Sequence, residues 1–242
     1  MWREHKGLCK EDAKALGGIS VDEFDKEFEE DRRLAETGNA KSQYNLGVCY
    51  LKGTGVAIDI PEAIKWYTRA AEAGYVMAQV NLGICFLDGV GIKVDKREAV
   101  KWFTRAAEAG DAGAQFNIGR CFLNGDGVKV DKREAVKWFT RAAEAGCAPA
   151  QLNLGDSFFN GTGVSVDKRE AIKYYKLAAE AGNSNAQYNL GVCYAKGDGI
   201  KVDTRASLHW YTLAAKAGNV NAQFNLGNRY LNGYKVPKIT AR

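Results

Sequence analysis

The chain has 242 residues, of which 46% are hydrophobic and 26% are charged, and only three are proline. This composition is typical of a globular protein and argues against intrinsic disorder. The formal net charge of +5 is mild for this length and does not require a nucleic-acid partner. No apolar run approaches the ~18 residues that a membrane helix needs, and the first residues lack the apolar segment of a secretory signal, so we predict a cytoplasmic protein without a membrane partner.

Residues 1–38 form an N-terminal segment that does not follow the pattern of the rest of the chain. Its second half, VDEFDKEFEEDRRLAETG, predicts a helix that ends at Gly38. Apolar residues fall on one side of this helix and acidic residues on the other; the apolar ones are Val21, Phe24, Phe28 and Ala35. Because the end of a repeat array needs a polar outer face, we predict that this helix is an N-terminal cap.

From residue 39 onward the chain repeats itself at a fixed interval of 36 residues. The marker is a glutamine that recurs without insertion or deletion, at Gln43, Gln79, Gln115, Gln151, Gln187 and Gln223. A fixed period of this size indicates an array of repeats rather than one or two compact domains. We expect five whole repeats and, at 219–242, the first helix of a sixth with a tail; the whole repeats are 39–74, 75–110, 111–146, 147–182 and 183–218.

Each repeat is predicted to contain two amphipathic helices joined by a glycine loop. The buried face of the first helix follows from helical spacing, at Gln43, Leu46, Gly47 and Tyr50. Glycine recurs at the position of Gly47 although it costs a helix interior about 1 kcal/mol, which we interpret as close approach of another helix backbone. The loop KGTGVAID has two glycines suited to positive φ, and Val56 is expected to pack into the core.

The second helix opens with an aspartate followed three residues later by a glutamate, the pattern of a capping box. The pairs are Asp59 and Glu62, Asp95 and Glu98, Asp131 and Glu134, and Asp167 and Glu170. This pattern gives the carboxylates a structural role and argues against catalytic acids. Since two helices of this length cannot enclose a core alone, each repeat must pack on the next, and we predict an all-α solenoid of 36-residue helix-loop-helix repeats.

Other residues with reactive side chains also occupy repeat positions. Four of the six cysteines do so, namely Cys49, Cys85, Cys121 and Cys193. Stacked equivalents lie ~8–10 Å apart, beyond the ~7 Å limit for a disulfide, so we interpret them as reduced core thiols, with a redox or metal function as the alternative. No nucleophile, metal set or unexplained carboxylate pair is left, so we predict no enzyme, no cofactor, no metal and no catalytic residue.

The repeat SQYNLGVCYLKGTGVAIDIPEAIKWYTRAAEAG resembles the Sel1-like repeat (SLR) family, a relative of the tetratricopeptide repeats (TPR), over residues 39–218. The longer loop with its GxGV distinguishes this family from the 34-residue tetratricopeptide unit. The resemblance implies a right-handed α-solenoid that acts as an adaptor or scaffold in protein complexes, and it implies no catalytic residue. Secreted cysteine-rich members pair two cysteines within a repeat, whereas this chain has one per repeat, which argues against an exported, disulfide-linked protein.

A stripe of residues on the first helices, opposite the buried face, has an asparagine in every repeat: Asn45, Asn81, Asn117, Asn153, Asn189 and Asn225. A carboxamide both donates and accepts hydrogen bonds, so it can pair with the backbone of any peptide. Its neighbours on the stripe vary in charge and size, at Val48, Ile84, Arg120, Asp156 and Val192. In related solenoids the first helices line the concave surface, and we therefore hypothesise a concave groove that binds a protein or peptide partner, with the variable positions selecting its sequence.

Alternatives stay open at this point. Each asparagine can instead bond a neighbouring helix, and Arg120 and Asp156 can pair with each other across adjacent repeats. A helical-repeat RNA binder is less favoured, because the stripe contains few lysines or arginines. The array stops after a first helix, so two further hypotheses are a structural subunit of a larger complex assembled through this open end and self-association through the C-terminal end.

Overall fold

A computed structural model describes residues 21–231, with side chains from Phe28 onward except that of Tyr230. Within this range it contains twelve α-helices and no strand, as the all-α prediction requires. They are α1 (Val21–Glu36), α2 (Ala40–Lys52), α3 (Ile60–Glu72), α4 (Val76–Asp88), α5 (Lys96–Glu108), α6 (Ala112–Asn124), α7 (Lys132–Glu144), α8 (Ala148–Asn160), α9 (Lys168–Glu180), α10 (Ser184–Lys196), α11 (Thr204–Lys216) and α12 (Val220–Leu231). The tail 232–242 and Cys9 lie outside the described residues.

The predicted cap corresponds to α1. Phe28 and Ala35 of this helix are buried against Leu46 and Trp66 of the first repeat, whereas Glu29 and Glu30 are exposed. The other two predicted apolar residues, Val21 and Phe24, have side chains outside the described residues.

The remaining helices alternate between the first and second helix of each repeat. The described chain forms two compact units, one up to Ala114 together with Asp126–Val128, the other comprising Gln115–Gly125 and the residues from Lys129 on. Within each unit the two helices of a repeat pack on each other, and each second helix also packs on the first helix of the next repeat, as α9 does on α8 and α10.

The helical glycine of each whole repeat lies under an aromatic ring. A Cβ atom on Gly47 would lie 2.6 Å from Cδ1 of Tyr67, and only then 3.2 Å from the Ala63 carbonyl oxygen. In the second unit, Gly155 has the same relation to Tyr175, again at 2.6 Å. The expected close approach of another helix backbone is therefore present, at the Ala63 carbonyl oxygen, but the nearest group is the ring, which the sequence analysis did not anticipate.

Each of the four second helices with a predicted capping box begins with half of it. The Asp59 side chain accepts a hydrogen bond from the backbone N–H of Glu62 at 3.0 Å. The reciprocal bond is absent, since the Asp59 N–H donates to the Tyr50 carbonyl at 2.9 Å. Glu62 instead accepts from Nζ of Lys65 at 2.7 Å. The N–H that a capping box would satisfy is already used to anchor the end of the loop on the first helix.

Two contacts connect a repeat to the one before it. The Gln43 side chain donates from Nε2 to the Ala35 carbonyl at 3.1 Å, and Gln151 does the same to Ala143 at 3.2 Å. At the loop, a Cβ on Gly163 would lie 2.1 Å from the Lys132 carbonyl oxygen, and its φ of +75° also favours glycine. An insertion would break one of these contacts, which explains the constant interval between repeats.

Candidate functional site

The asparagine stripe lies at the border between the core and solvent. In the first unit it comprises Asn45 and Val48 on α2 and Asn81 and Ile84 on α4. In the second unit it comprises Asn117 and Arg120 on α6, Asn153 and Asp156 on α8, Asn189 and Val192 on α10, and Asn225 on α12. All six asparagines are half-buried, and the variable residues are half-buried or exposed. The stripe of each unit is therefore accessible to a ligand.

Three of the asparagines donate hydrogen bonds within the protein. Nδ2 of Asn81 donates to the Tyr44 hydroxyl at 3.4 Å, and Nδ2 of Asn189 donates to Oδ1 of Asp156 at 3.3 Å. Nδ2 of Asn153 donates to the Pro149 carbonyl of its own helix at 2.9 Å. These bonds favour a structural contribution from the asparagines, although each carboxamide has two N–H donors and one acceptor oxygen.

The aromatic residue on the second helix before each asparagine differs between repeats. Tyr67 precedes Asn81, and hydrogen bonding with Asn81 opposes the rise in the Tyr67 pKa that burial causes. Tyr175 and Asn189 are related in the same way. Phe139 precedes Asn153 and has no hydroxyl, and this asparagine bonds its own helix instead.

Asp156 is a half-buried carboxylate that bonds only neutral groups. The Tyr175 hydroxyl donates to Oδ1 of Asp156 at 2.7 Å, and Asn189 donates to the same oxygen. Burial raises the pKa of the Asp156 carboxyl, and the hydrogen bond from Tyr175 acts in the opposite direction. No lysine, arginine or histidine among the described residues forms an ion pair with it. The sequence placed Asp156 on the stripe but did not identify Tyr175 as its partner; the available signal was the change from Phe139 to tyrosine at that repeat position.

Arg120, the other charged residue proposed for the stripe, is exposed on α6. Its guanidinium lies 5.8 Å from the centre of the Phe116 ring on the same helix. The alternative in which Arg120 pairs with Asp156 was wrong, because neither residue forms an ion pair among the described residues. Both charges remain accessible on the stripe.

Within residues 21–231 there is no group of three His, Cys, Asp or Glu side chains able to bind a metal ion, and no helix is long and apolar enough to cross a membrane.

Cys85, Cys121 and Cys193 are buried in the core, as predicted, whereas Cys49 is half-buried. Burial raises the pKa of the Cys85 and Cys193 thiols to about 11, so both are protonated at neutral pH.

Stacked helical hairpins of constant length, with a glycine under each ring, define an all-α solenoid, as predicted. The Sel1 repeat pattern matches residues 40–75, 76–111, 112–147, 148–183, 184–219 and 220–238. The chain belongs to the Sel1 repeat family. Proteins of this family are generally scaffolds for protein interaction, and their fold is typically non-enzymatic.

Solved structures of similar chains agree with this assignment. The protective antigen c5321 of uropathogenic Escherichia coli, which displays an SLR fold, is 39% identical over 85% of this chain and 44% of its own, with a TM-score of 0.82. This chain therefore spans less than half of that one. A Sel1 repeat protein from Oxalobacter formigenes is 39% identical over 83% of this chain and 80% of its own, with a TM-score of 0.77. The immunity protein Pa5087 from Pseudomonas aeruginosa, 20% identical over 87% of this chain and 81% of its own with a TM-score of 0.53, shares the fold alone. No curated protein is significantly similar to the chain.

Proposed function

We propose that the protein is a cytoplasmic, non-enzymatic scaffold that binds an extended peptide or protein segment along the asparagine stripe, on the face that the sequence predicts to be concave. The observation that supports this most is the accessible carboxamide at the same position of every repeat, next to residues that vary in charge and size. The carboxamides, which are the same in every repeat, would bind the backbone of the ligand, which is the same at every residue. The varying stripe residues would contact its side chains.

The spacing of the repeats fits an extended ligand. Neighbouring helices pack ~8–10 Å apart, and an extended peptide advances ~3.3 Å per residue, so one repeat corresponds to about three ligand residues. Asn153 uses one N–H on its own helix and keeps a second N–H and its carbonyl oxygen for a ligand backbone. Each repeat would thus contribute one or two backbone hydrogen bonds.

The test uses peptides selected from a random library for binding to the wild-type protein. Asn117→Ala combined with Asn153→Ala removes two carboxamides from the second unit. Since a hydrogen bond contributes about 0.5–1.5 kcal/mol, we expect the Kd of the selected peptides to rise about tenfold. The matched control is Lys101→Ala with Lys137→Ala, two exposed residues on second helices. An unchanged Kd in the asparagine variant, with its circular dichroism intact, would contradict the proposal.

A second candidate is self-association through α12. Phe224 and Leu231 are 68% and 86% exposed, and apart from the adjoining part of α12 itself no described atom lies within 4 Å of a Cβ placed on Gly227. At the same repeat position Gly191 lies under the Tyr211 ring. An exposed apolar face of this kind supports an interface with a second copy. Sedimentation across a range of concentrations tests it, and the Phe224→Ser variant should remain monomeric where the wild type dimerises.

A further inference from the structure

Asp156 differs from its equivalents in the stripe by its charge and its surroundings. The same repeat position holds valine in the first and fifth repeats, at Val48 and Val192. Both hydrogen bonds to Asp156 end on Oδ1, from Tyr175 and Asn189, which leaves Oδ2 without a donor among the described residues. The carboxylate is half-buried and has one oxygen available for a further partner.

The fold does not need an acidic residue at this position. In the first unit, Val48, Tyr67 and Asn81 occupy the positions of Asp156, Tyr175 and Asn189, and Asn81 donates to the Tyr44 hydroxyl, a neutral group, instead of to a carboxylate. A partly desolvated carboxylate without a cation is unfavourable, and two neutral donors offset this only in part. A charged group that the architecture does not require, at an accessible position, is a candidate for ligand recognition.

The cation that would neutralise Asp156 is not supplied by the described part of the chain. Arg120 is the stripe cation of the preceding repeat, and it lies over the Phe116 ring rather than beside Asp156. On α8 itself, Asp156 is flanked at helical spacing by the carboxamides of Asn153 and Asn160. A ligand backbone held by these carboxamides would carry a side chain to the free Oδ2.

We propose that Asp156 binds the basic side chain, lysine or arginine, of the segment that the stripe accommodates. This inference rests on the proposed function. Equivalent positions one repeat away hold Arg120 and Val192, so the segment that fits best has an acidic and an apolar residue about three positions to either side of its basic residue. Asp156 and Tyr175 form the specificity pocket, with Tyr175 positioning the carboxylate.

The experiment uses four pools of nine-residue peptides, random except for a central lysine, arginine, leucine or glutamate. Wild-type protein should bind the lysine and arginine pools about tenfold more tightly than the leucine pool, since a charged hydrogen bond is stronger than a neutral one. Asp156→Asn, which keeps an acceptor for Tyr175, and Asp156→Val, the residue of two other repeats, should both lose this preference while still binding the leucine pool. Asp88→Asn, at an exposed carboxylate at the end of α4 in the first unit, is the matched control and should keep it.

A stability measurement distinguishes a role of Asp156 in ligand binding from a role in stabilising the fold. If Asp156 serves recognition, Asp156→Val should unfold at an equal or higher denaturant concentration than the wild type. A lower midpoint together with an unchanged preference for basic peptides would overturn the inference. Equal binding of wild-type protein to all four pools would overturn it too but leave the scaffold proposal standing, whereas failure of every pool to bind would end both.

Discussion

The first unit holds Val48, Tyr67 and Asn81 at the repeat positions where the second unit holds Asp156, Tyr175 and Asn189. The two tyrosine rings are positioned identically, each over a glycine whose Cβ would lie 2.6 Å away. Around Tyr67, the asparagine donates to the neighbouring Tyr44 hydroxyl and Val48 packs on the core. Around Tyr175, both the hydroxyl and the asparagine donate to a carboxylate. The repeat thus fixes where the ring lies, while the residue beside its hydroxyl can change from apolar to charged without altering the fold.

The largest expected effect is loss of the ring itself. Tyr67→Ala and Tyr175→Ala should each lower the free energy of unfolding by about 3–5 kcal/mol, because each leaves a cavity over the glycine. The two losses should agree within about 1 kcal/mol if the ring has the same packing in both units. Urea denaturation measures both. A much larger loss at Tyr175 would mean that the bond to Asp156 contributes to stability.

Alanine in place of the glycine should have the next largest effect. Gly47→Ala and Gly155→Ala should each cost about 1–3 kcal/mol, since the new methyl group overlaps the ring. The cost should fall when the same change is made in the Tyr67→Ala or Tyr175→Ala background, where the ring is gone. A double-mutant cycle for each pair checks this, and purely additive effects would show that the ring is not the obstacle.

Exchanging valine and aspartate between the equivalent positions 48 and 156 should change the free energy of unfolding in opposite directions. Val48→Asp should lower the free energy of unfolding by about 1–3 kcal/mol, because it partly buries a polar group and removes apolar packing. Asp156→Val should raise it by about 0.5–2 kcal/mol, because it removes a carboxylate that has no cationic partner. Chemical denaturation of both variants measures the pair of changes. Destabilisation by both would mean that Asp156 is part of the architecture.

The smallest expected effect is a change with pH in the stability that Asp156→Val gains over the wild type. Burial raises the pKa of Asp156 above its ordinary value of 3.8. The folded protein therefore holds the proton more tightly than the unfolded chain, so the destabilisation by Asp156 is complete above the folded pKa and disappears as the pH falls below 3.8. The advantage of Asp156→Val over the wild type should accordingly be greatest at neutral pH and shrink towards pH 3.8 in denaturation curves. An advantage that stays constant with pH would show that the charge is not its source.

The sequence predicted the elements that repeat and missed the contacts that differ between repeats. The 36-residue interval and the paired glycines sufficed for the helices, loops and stripe, because every copy reports the same geometry. Two hydrogen bonds of the stripe join residues in different repeats, from Asn81 to Tyr44 and from Asn189 to Asp156, the latter 33 positions apart. Their formation depends on which side chain the neighbouring repeat offers, so the pattern of one repeat does not specify them. The capping box failed for a similar reason, since the Tyr50 carbonyl took the N–H of Asp59.

The contact between a loop and the preceding second helix has a consequence for building altered arrays. Lys168 pairs with Asp198 at 2.6 Å across this contact, whereas the residue equivalent to Asp198 in the preceding repeat is Thr162. The loop contact therefore varies along the chain, while the packing of a ring on a glycine is the same wherever it occurs in both units. A transplantable module is best cut between a first helix and the second helix that follows it, so that each loop travels with the second helix it contacts and a ring meets a glycine at the new joint. The joint between α8 and α9 is the exception, because a cut there would separate Asp156 from Tyr175.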